Sequence, residues 1–247
     1  MGDKVIVFLH GANVDHRMWD PQVDTIADEF NLVVWDARGH GQSALSSGQK
    51  FTFADLIPDL LKLYEVCGIT KATLIGQSMG GNLAQEMAYY HPDLVESLVL
   101  IGCTKNTGSL TRMEKILLSV AKPLLYCHPW KTLVKQSAEA CANRNDVRRY
   151  VTDCFTSMDK ETFIEAIMSV TTCLHEDAAY RFPCPALLLC GSDDTTGNIR
   201  KIAQPWAESD PNCTFHMIEN AGHNANQDAP EIVNPLIQQF LGVPPLP

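Results

Sequence analysis

Three separated stretches of this sequence hold residue types that cooperate in nucleophilic chemistry. LIGQSMGGN, Leu74 to Asn82, sets Ser78 between glycines directly behind an apolar run. A serine hydroxyl is a weak nucleophile at neutral pH and needs a base within hydrogen-bond reach. Of the eight histidines, His223 in ENAGHNANQDAP is the candidate, on a loop of small residues after the last strand-like run. Such a base needs a carboxylate that fixes its tautomer and stabilises the imidazolium. GSDDTTGN offers Asp193 and Asp194 after another strand-like run. Successive residues point in different directions, so one of the two serves, and the spacing alone leaves the choice open.

These residues need elements that bring them to one place. Short apolar runs recur as VIVFL (Val5 to Leu9), LVVW (Leu32 to Trp35), ATLI (Ala72 to Ile75), LVLI (Leu98 to Ile101), ALLLC (Ala186 to Cys190) and TFHMI (Thr214 to Ile218). Their unbroken apolarity suits strands buried on both faces, as in a parallel sheet. Helical stretches alternate with them, including one starting near Pro58 and ending at Gly68, and another from the Ser78 turn to Pro92. That alternation predicts α/β architecture with a mostly parallel central sheet of about six strands. All three chemical stretches then follow strands, at the carboxyl end of the sheet where sites form. A sharp turn from strand to helix at Ser78 would project its hydroxyl above the sheet, with glycines relieving the crowding and the Met79 amide at the helix N-terminus.

From LVLIG to ALLLC about eighty residues pass without a strand pattern, too many for a plain connection in a compact domain. Leu110, Met113, Ile116, Leu117 and Val120 share a helical face, and further helical stretches follow around Trp130 to Cys141, Val147 to Phe155 and Thr162 to Val170. The expected organisation is a core of residues 1–103 and 185–247 with an all-helical insertion, 104–184, whose apolar faces serve chiefly for packing.

The composition narrows the partners. A formal charge of −10, from 19 basic and 29 acidic side chains, without a basic run, argues against nucleic acid or an anionic membrane surface. No apolar stretch approaches the roughly 18 residues that span a bilayer, and Val5 to Leu9 is too short for a signal-peptide core. Nine cysteines without Cys-x-x-Cys spacing suggest neither zinc nor a disulfide framework, but reduced side chains in a cytoplasmic protein.

Taken together, the motifs resemble the α/β-hydrolase superfamily, in its capped, esterase-like branch, over nearly the whole chain. FLHGANVDHRMW resembles the family's His-Gly oxyanion loop, with Trp19 at the tryptophan position, and DARGHGQS resembles its glycine-rich turn, where Asp36, Arg38, Gly39 and Gly41 are structural. GQSMGG matches the nucleophile elbow at Ser78, GSDD resembles the Gly-x-x-Asp loop, and AGHNANQDAP matches the histidine loop at His223. The order Ser, Asp, His is the family's order. The resemblance implies that Asp194 rather than Asp193 is the acid, that the amides of Ala12 and Met79 form the oxyanion hole, and that 104–184 is a cap over the site. Relatives usually begin with two additional antiparallel strands, whereas Met1 stands nine residues before His10, so the expected sheet lacks that N-terminal hairpin.

The expected reaction is acyl transfer to water through an acyl-enzyme, without metal or organic cofactor. Carboxylic esters come first, with lactones, thioesters and monoacylglycerols close behind. Perhydrolases and carbon–carbon bond hydrolases share the serine triad, while a serine elbow argues against the dehalogenase and epoxide hydrolase branches. A non-catalytic small-molecule receptor on this scaffold is the reading from another class. Asn13, Met113, Leu117 and Trp130 are the candidate substrate contacts.

Overall fold

The apolar runs pair into one sheet. The structure is a computed structural model that describes residues 4–243. Among them, six strands run as β1 (Val5–Leu9), β2 (Asn31–Val34), β3 (Ala72–Gln77), β4 (Val95–Ile101), β5 (Ala186–Gly191) and β6 (Cys213–Ile218). Their order is β2-β1-β3-β4-β5-β6, and every neighbouring pair is parallel. In register, Leu74 lies between Val7 and Leu98, and Leu98 faces Ala186.

Alternation along the strands feeds two hydrophobic layers. Val7, Leu9, Leu74, Leu98, Leu100 and Leu188 enter one, and Ile6, Phe8, Ile75, Val99, Ile101 and Leu189 enter the other. The first is covered by α2 (Leu56–Cys67), α3 (Met79–Tyr90) and α8 (Ile199–Glu208), through residues such as Leu60, Leu83 and Trp206. The second is covered by α1 (Asp20–Ile26) and α10 (Pro230–Leu241), with the short α9 (Ala225–Asp228) leading into α10. Helices on both faces explain why the strands read as continuous apolar runs rather than alternating ones.

Four helices lie between β4 and β5: α4 (Arg112–Cys127), α5 (Trp130–Cys141), α6 (Asn145–Thr156) and α7 (Lys160–Ser169). A reciprocal capping box between Thr111 and Glu114 opens α4, and the Asp159 side chain caps α7. Leu133, Val134, Val147, Val151 and Phe163 carry α5 to α7 into the second hydrophobic layer. The α4 face departs from the packing expectation: Met113, Ile116, Leu117 and Val120 are all exposed. Polar contacts on its other sides hold α4 in place, with Lys122 and Tyr126 on Glu165 and Asn198 on Glu114, while Leu118 and Leu125 are half-covered. Among the described residues no helix is long and apolar enough to cross a membrane.

Candidate active site

Ser78 occupies a backbone conformation that an L residue rarely adopts, with φ 50° and ψ −115°. The chain leaves β3 at Gln77, turns at Ser78 and enters α3 at Met79, so the whole reversal falls on one residue. Its cost, of order 1–3 kcal/mol, is borne because the surroundings over-determine it. The Ser78 amide donates to Ile101 O at 2.9 Å, anchoring the turn to the end of β4. A Cβ on Gly76 would fall onto the Gly80 backbone, and one on Gly80 onto the Leu9 carbonyl, so these two positions admit no side chain. Ser78 itself stays half-exposed.

His223 and Asp194 meet across adjacent loops. Asp194 follows β5 and is 2% exposed, His223 follows β6, and Nδ1 of the ring donates to Asp194 Oδ2 at 2.9 Å. Asp194 Oδ1 accepts from the Thr196 amide at 2.8 Å, so both carboxylate oxygens are engaged. Burial works to raise the Asp194 pKa, but the His223 ring and the Thr196 hydrogen bonds outweigh it and hold the carboxyl below its ordinary value. Asp193 points elsewhere: its Oδ2 accepts from Asn143 Nδ2 at 2.7 Å. The structure therefore separates the two aspartates that the sequence left adjacent, and it is Asp194 that reaches the histidine.

The serine and histidine loops share neighbours. Gln77 Nε2 donates to His223 O at 3.2 Å, tying the residue before Ser78 to the histidine backbone. A Cβ on Gly102 would stand 3.3 Å from His223 Nδ1, and one on Gly11 3.5 Å from Ser78 Cβ. The loop after β1 thus flanks the serine, and the loop after β4 flanks the histidine. Among the described residues the Ser78 hydroxyl has no hydrogen-bond partner; such contacts commonly tighten only when substrate is seated.

Ala12 lies in the loop after β1, and its amide has no acceptor among the described residues. Met79 opens α3, where the first N–H groups lack an intrahelical acceptor and the helix dipole is positive. The loop is held from below by His10, whose Nε2 accepts from the Ala37 amide while Nδ1 donates to Gly11 O. Burial pushes the His10 pKa down, which fits a neutral structural ring rather than a base. From above, Tyr150 of α6 bonds the Asp15 backbone, and Asn13 Nδ2 donates to Phe163 O of α7 at 3.1 Å. Asn13 Oδ1 is buried without a partner among the described residues.

The remaining sequence candidates fall at varied distances from this centre. Trp130 packs edge-on against Phe163, with ring centroids 5.1 Å apart, and so touches the residue that holds Asn13. Met113 and Leu117 face outward from α4, 64% and 57% exposed. A groove of about 650 Å³ runs between α5 and α6 past Trp130, Val134 and Arg149, but Ser78, Asp194 and His223 do not line it. Gln77, Asn143 and Asp228 are site neighbours that sequence reasoning missed. Gln77 and Asp228 carried a signal, as residues inside the serine and histidine motifs, whereas Asn143 lies in neither.

All nine cysteines are free. Burial pushes the thiols of Cys141 and Cys190 up to about 12, so near neutral pH they remain uncharged. Among the described residues, no group of three or more His, Cys, Asp or Glu side chains is placed to hold a metal ion.

A parallel sheet with helices on both faces, a strained serine at a strand-to-helix turn and a buried His–Asp pair after the last two strands define a hydrolase of the α/β class. The chain belongs to the α/β-hydrolase family described as serine aminopeptidase, S33, whose family model matches residues 2–229. Relatives extend along almost the full length. A Caulobacter sp. (strain K31) protein named as a carbamate hydrolase, RutD, is 27% identical over 96% of this chain and 90% of its own length. An Acinetobacter baylyi protein named (E)-2-((N-methylformamido)methylene)succinate hydrolase is 26% identical over 97% of this chain and 91% of its own. Among solved structures, a thermophilic esterase from Thermogutta terrifontis superposes with a TM-score of 0.82 at 24% identity, covering 97% of this chain and 89% of that one.

Proposed function

We propose that this hydrolase cleaves carboxylic esters through an acyl-enzyme, with Ser78 as nucleophile, His223 as base and Asp194 as its orienting acid. The observation that carries this reading is the placement of Ser78, at φ 50°, at the same end of the sheet as a buried His223–Asp194 hydrogen bond of 2.9 Å. His223, fixed by Asp194 in the Nδ1–H tautomer, takes the serine proton on Nε2 as Ser78 attacks the carbonyl carbon. The amides of Ala12 and Met79 stabilise the oxyanion, each worth about 100- to 1,000-fold. His223 then protonates the leaving group and activates the water that releases the acyl group.

Residues 104–184 are the proposed cap, since α6 and α7 contact the loop that carries Ala12 through Tyr150 and Phe163. The unpartnered Asn13 Oδ1 supports this residue as a polar contact to substrate, and Trp130 supports its position from behind through Phe163. Met113 and Leu117 belong in the proposal as contacts for the outer part of a long apolar group. A small uncharged acyl compound met in a reducing, cytoplasmic setting fits the acidic surface and the free thiols better than nucleic acid does.

A second reading, carbamate hydrolysis, draws on the name of the relative that aligns over 96% of this chain. The same serine and oxyanion donors act on either carbonyl. A panel of aryl esters, lactones, thioesters and carbamates, run with Ser78→Ala as control, separates the substrates. A fluorophosphonate probe should add one label, at Ser78, and abolish turnover; folded protein that takes no label would refute the serine-hydrolase reading and favour a non-catalytic receptor.

A further inference from the structure

The turn between α5 and α6 is fastened to the histidine loop by hydrogen bonds that the chemistry described so far does not use. Asp228 ends α9, is 7% exposed, and its carboxylate accepts three backbone amides. Oδ2 accepts from Asn143 at 2.8 Å and from Gly222 at 2.8 Å, and Oδ1 accepts from Arg144 at 3.0 Å. The amide on the other side of His223, that of Asn224, donates to Cys141 O at 2.7 Å. Both residues flanking His223 are therefore held by one structure made of Asp228 and residues 141–144. Asn143 adds a further tie, since its Nδ2 donates to Asp193 Oδ2 at 2.7 Å and to Asn220 O at 3.0 Å. One side chain thus bridges the loop of Asp194 and the loop of His223.

Local packing shows how closely these pieces meet. A Cβ on Gly222 would lie 3.2 Å from Ala142 Cα and 3.2 Å from Asp228 Oδ2, so the histidine loop approaches the turn at backbone contact distance. Three amide donors on one buried carboxylate make charge-assisted hydrogen bonds, roughly twice as strong as neutral ones. Helix α9 has only four residues, so by itself it cannot hold the loop, and the strong acceptor does.

We infer that Asp228, with Asn143, is a positioning clamp that sets the His223 imidazole from the α5–α6 turn. The clamp makes the reach of the base depend on where the inserted helices sit. This inference rests on the reading of His223 as the base. Asp228 touches neither substrate nor the reacting atoms and acts only through the backbone on either side of the ring.

The substitution Asp228→Asn keeps the shape but presents an amide group to backbone N–H donors, so at least one of the three bonds becomes a repulsive contact. Two readouts report on the ring: the low-field Nδ1–H proton resonance of His223, and the rate of fluorophosphonate labelling at Ser78. In variant protein that circular dichroism shows to be folded, the resonance should broaden or vanish. Labelling should slow by about 10- to 100-fold, the scale expected for displacing a reacting group by about an ångström. A small phosphonate makes few cap contacts, so a loss confined to ester KM, with labelling and resonance as in the wild type, overturns the clamp. A folded Asp228→Asn protein with an unchanged resonance and wild-type labelling overturns it. If Asp228→Asn does not fold, Asp228→Glu, which keeps the charge but shifts the acceptor oxygens by one methylene, tests the carboxylate by the same readouts, and Asn143→Ala tests the side-chain tie. A loss of about threefold or more is expected in each, and wild-type values in both overturn the clamp. A wild-type chain that never labels, but loses the resonance in Asp228→Asn, upholds the clamp and refutes the serine-hydrolase reading instead.

Discussion

Replacing each of the adjacent aspartates by asparagine tests the site at its most specific point. In Asp194→Asn the new carboxamide has its orientation imposed on it. One end faces the Thr196 amide, a donor 2.8 Å away, and demands the carbonyl oxygen there. The amide nitrogen is then left facing His223 Nδ1, where the carboxylate oxygen accepted at 2.9 Å. An N–H donor at that place favours the ring tautomer with Nδ1 unprotonated and Nε2 carrying the proton, which cannot take one from Ser78. In serine proteases with a Ser-His-Asp triad the same change lowers kcat by about 10,000-fold, equivalent to about 5.4 kcal/mol of transition-state stabilisation. Asp193→Asn should stay within about threefold of wild type, because the carboxamide oxygen still accepts from Asn143 and no ring is involved. The assay is stopped-flow acylation by an aryl acetate, with fluorophosphonate labelling as a substrate-independent check. A crippled Asp193→Asn beside a nearly normal Asp194→Asn would refute the assignment.

Acid should weaken the fold before it titrates the aspartates. Burial pushes His40 down to about 3 and lowers His10, so below the ordinary histidine pKa of about 6.5 only the unfolded chain takes up these protons. Stability is therefore flat with respect to these rings above about pH 6.5. It falls by up to about 1.4 kcal/mol per pH unit for each ring as pH drops towards the folded values. Urea midpoints at pH 7 and pH 5 measure this, and a midpoint that does not fall towards pH 5 would refute it. In the cap, Trp130→Ala should alter preference along an ester chain-length series more than Leu117→Ala does. Trp130 supports Phe163 and through it Asn13, whereas Leu117 faces outward. The reverse ranking would place the acyl group on the open face of α4.

What was legible in the sequence follows from how local each signal is. Strands were readable because both sheet faces are covered, which leaves Val5–Leu9 and Ala186–Gly191 as unbroken apolar runs. Their ends were less so. β4 starts at Val95, ahead of the expected Leu98, because Glu96 turns its charge to solvent while Val95 is buried. Helix α2 starts at Leu56 rather than Pro58, since a proline in the first turn lacks only an N–H that has no helical partner there. The serine turn was legible because its glycines are forced by contacts within one strand-to-helix unit.

The choice between Asp193 and Asp194 was not local, because it depends on how the loop after β5 folds against the loop after β6. The same holds for Asn143 and Asp228, which are 85 residues apart in the chain and meet only once the inserted helices pack. Nor could periodicity tell that the apolar face of α4 lies open while those of α5 to α7 are buried, since a helical period records that a face exists and not what covers it. Sequence therefore located the atoms proposed to react, each next to its own strand. The relation between those atoms and the inserted helices is a property of packing, and Asp228 is where that relation is written in hydrogen bonds: a buried carboxylate joining the loop of the proposed base to the segment proposed to select substrate.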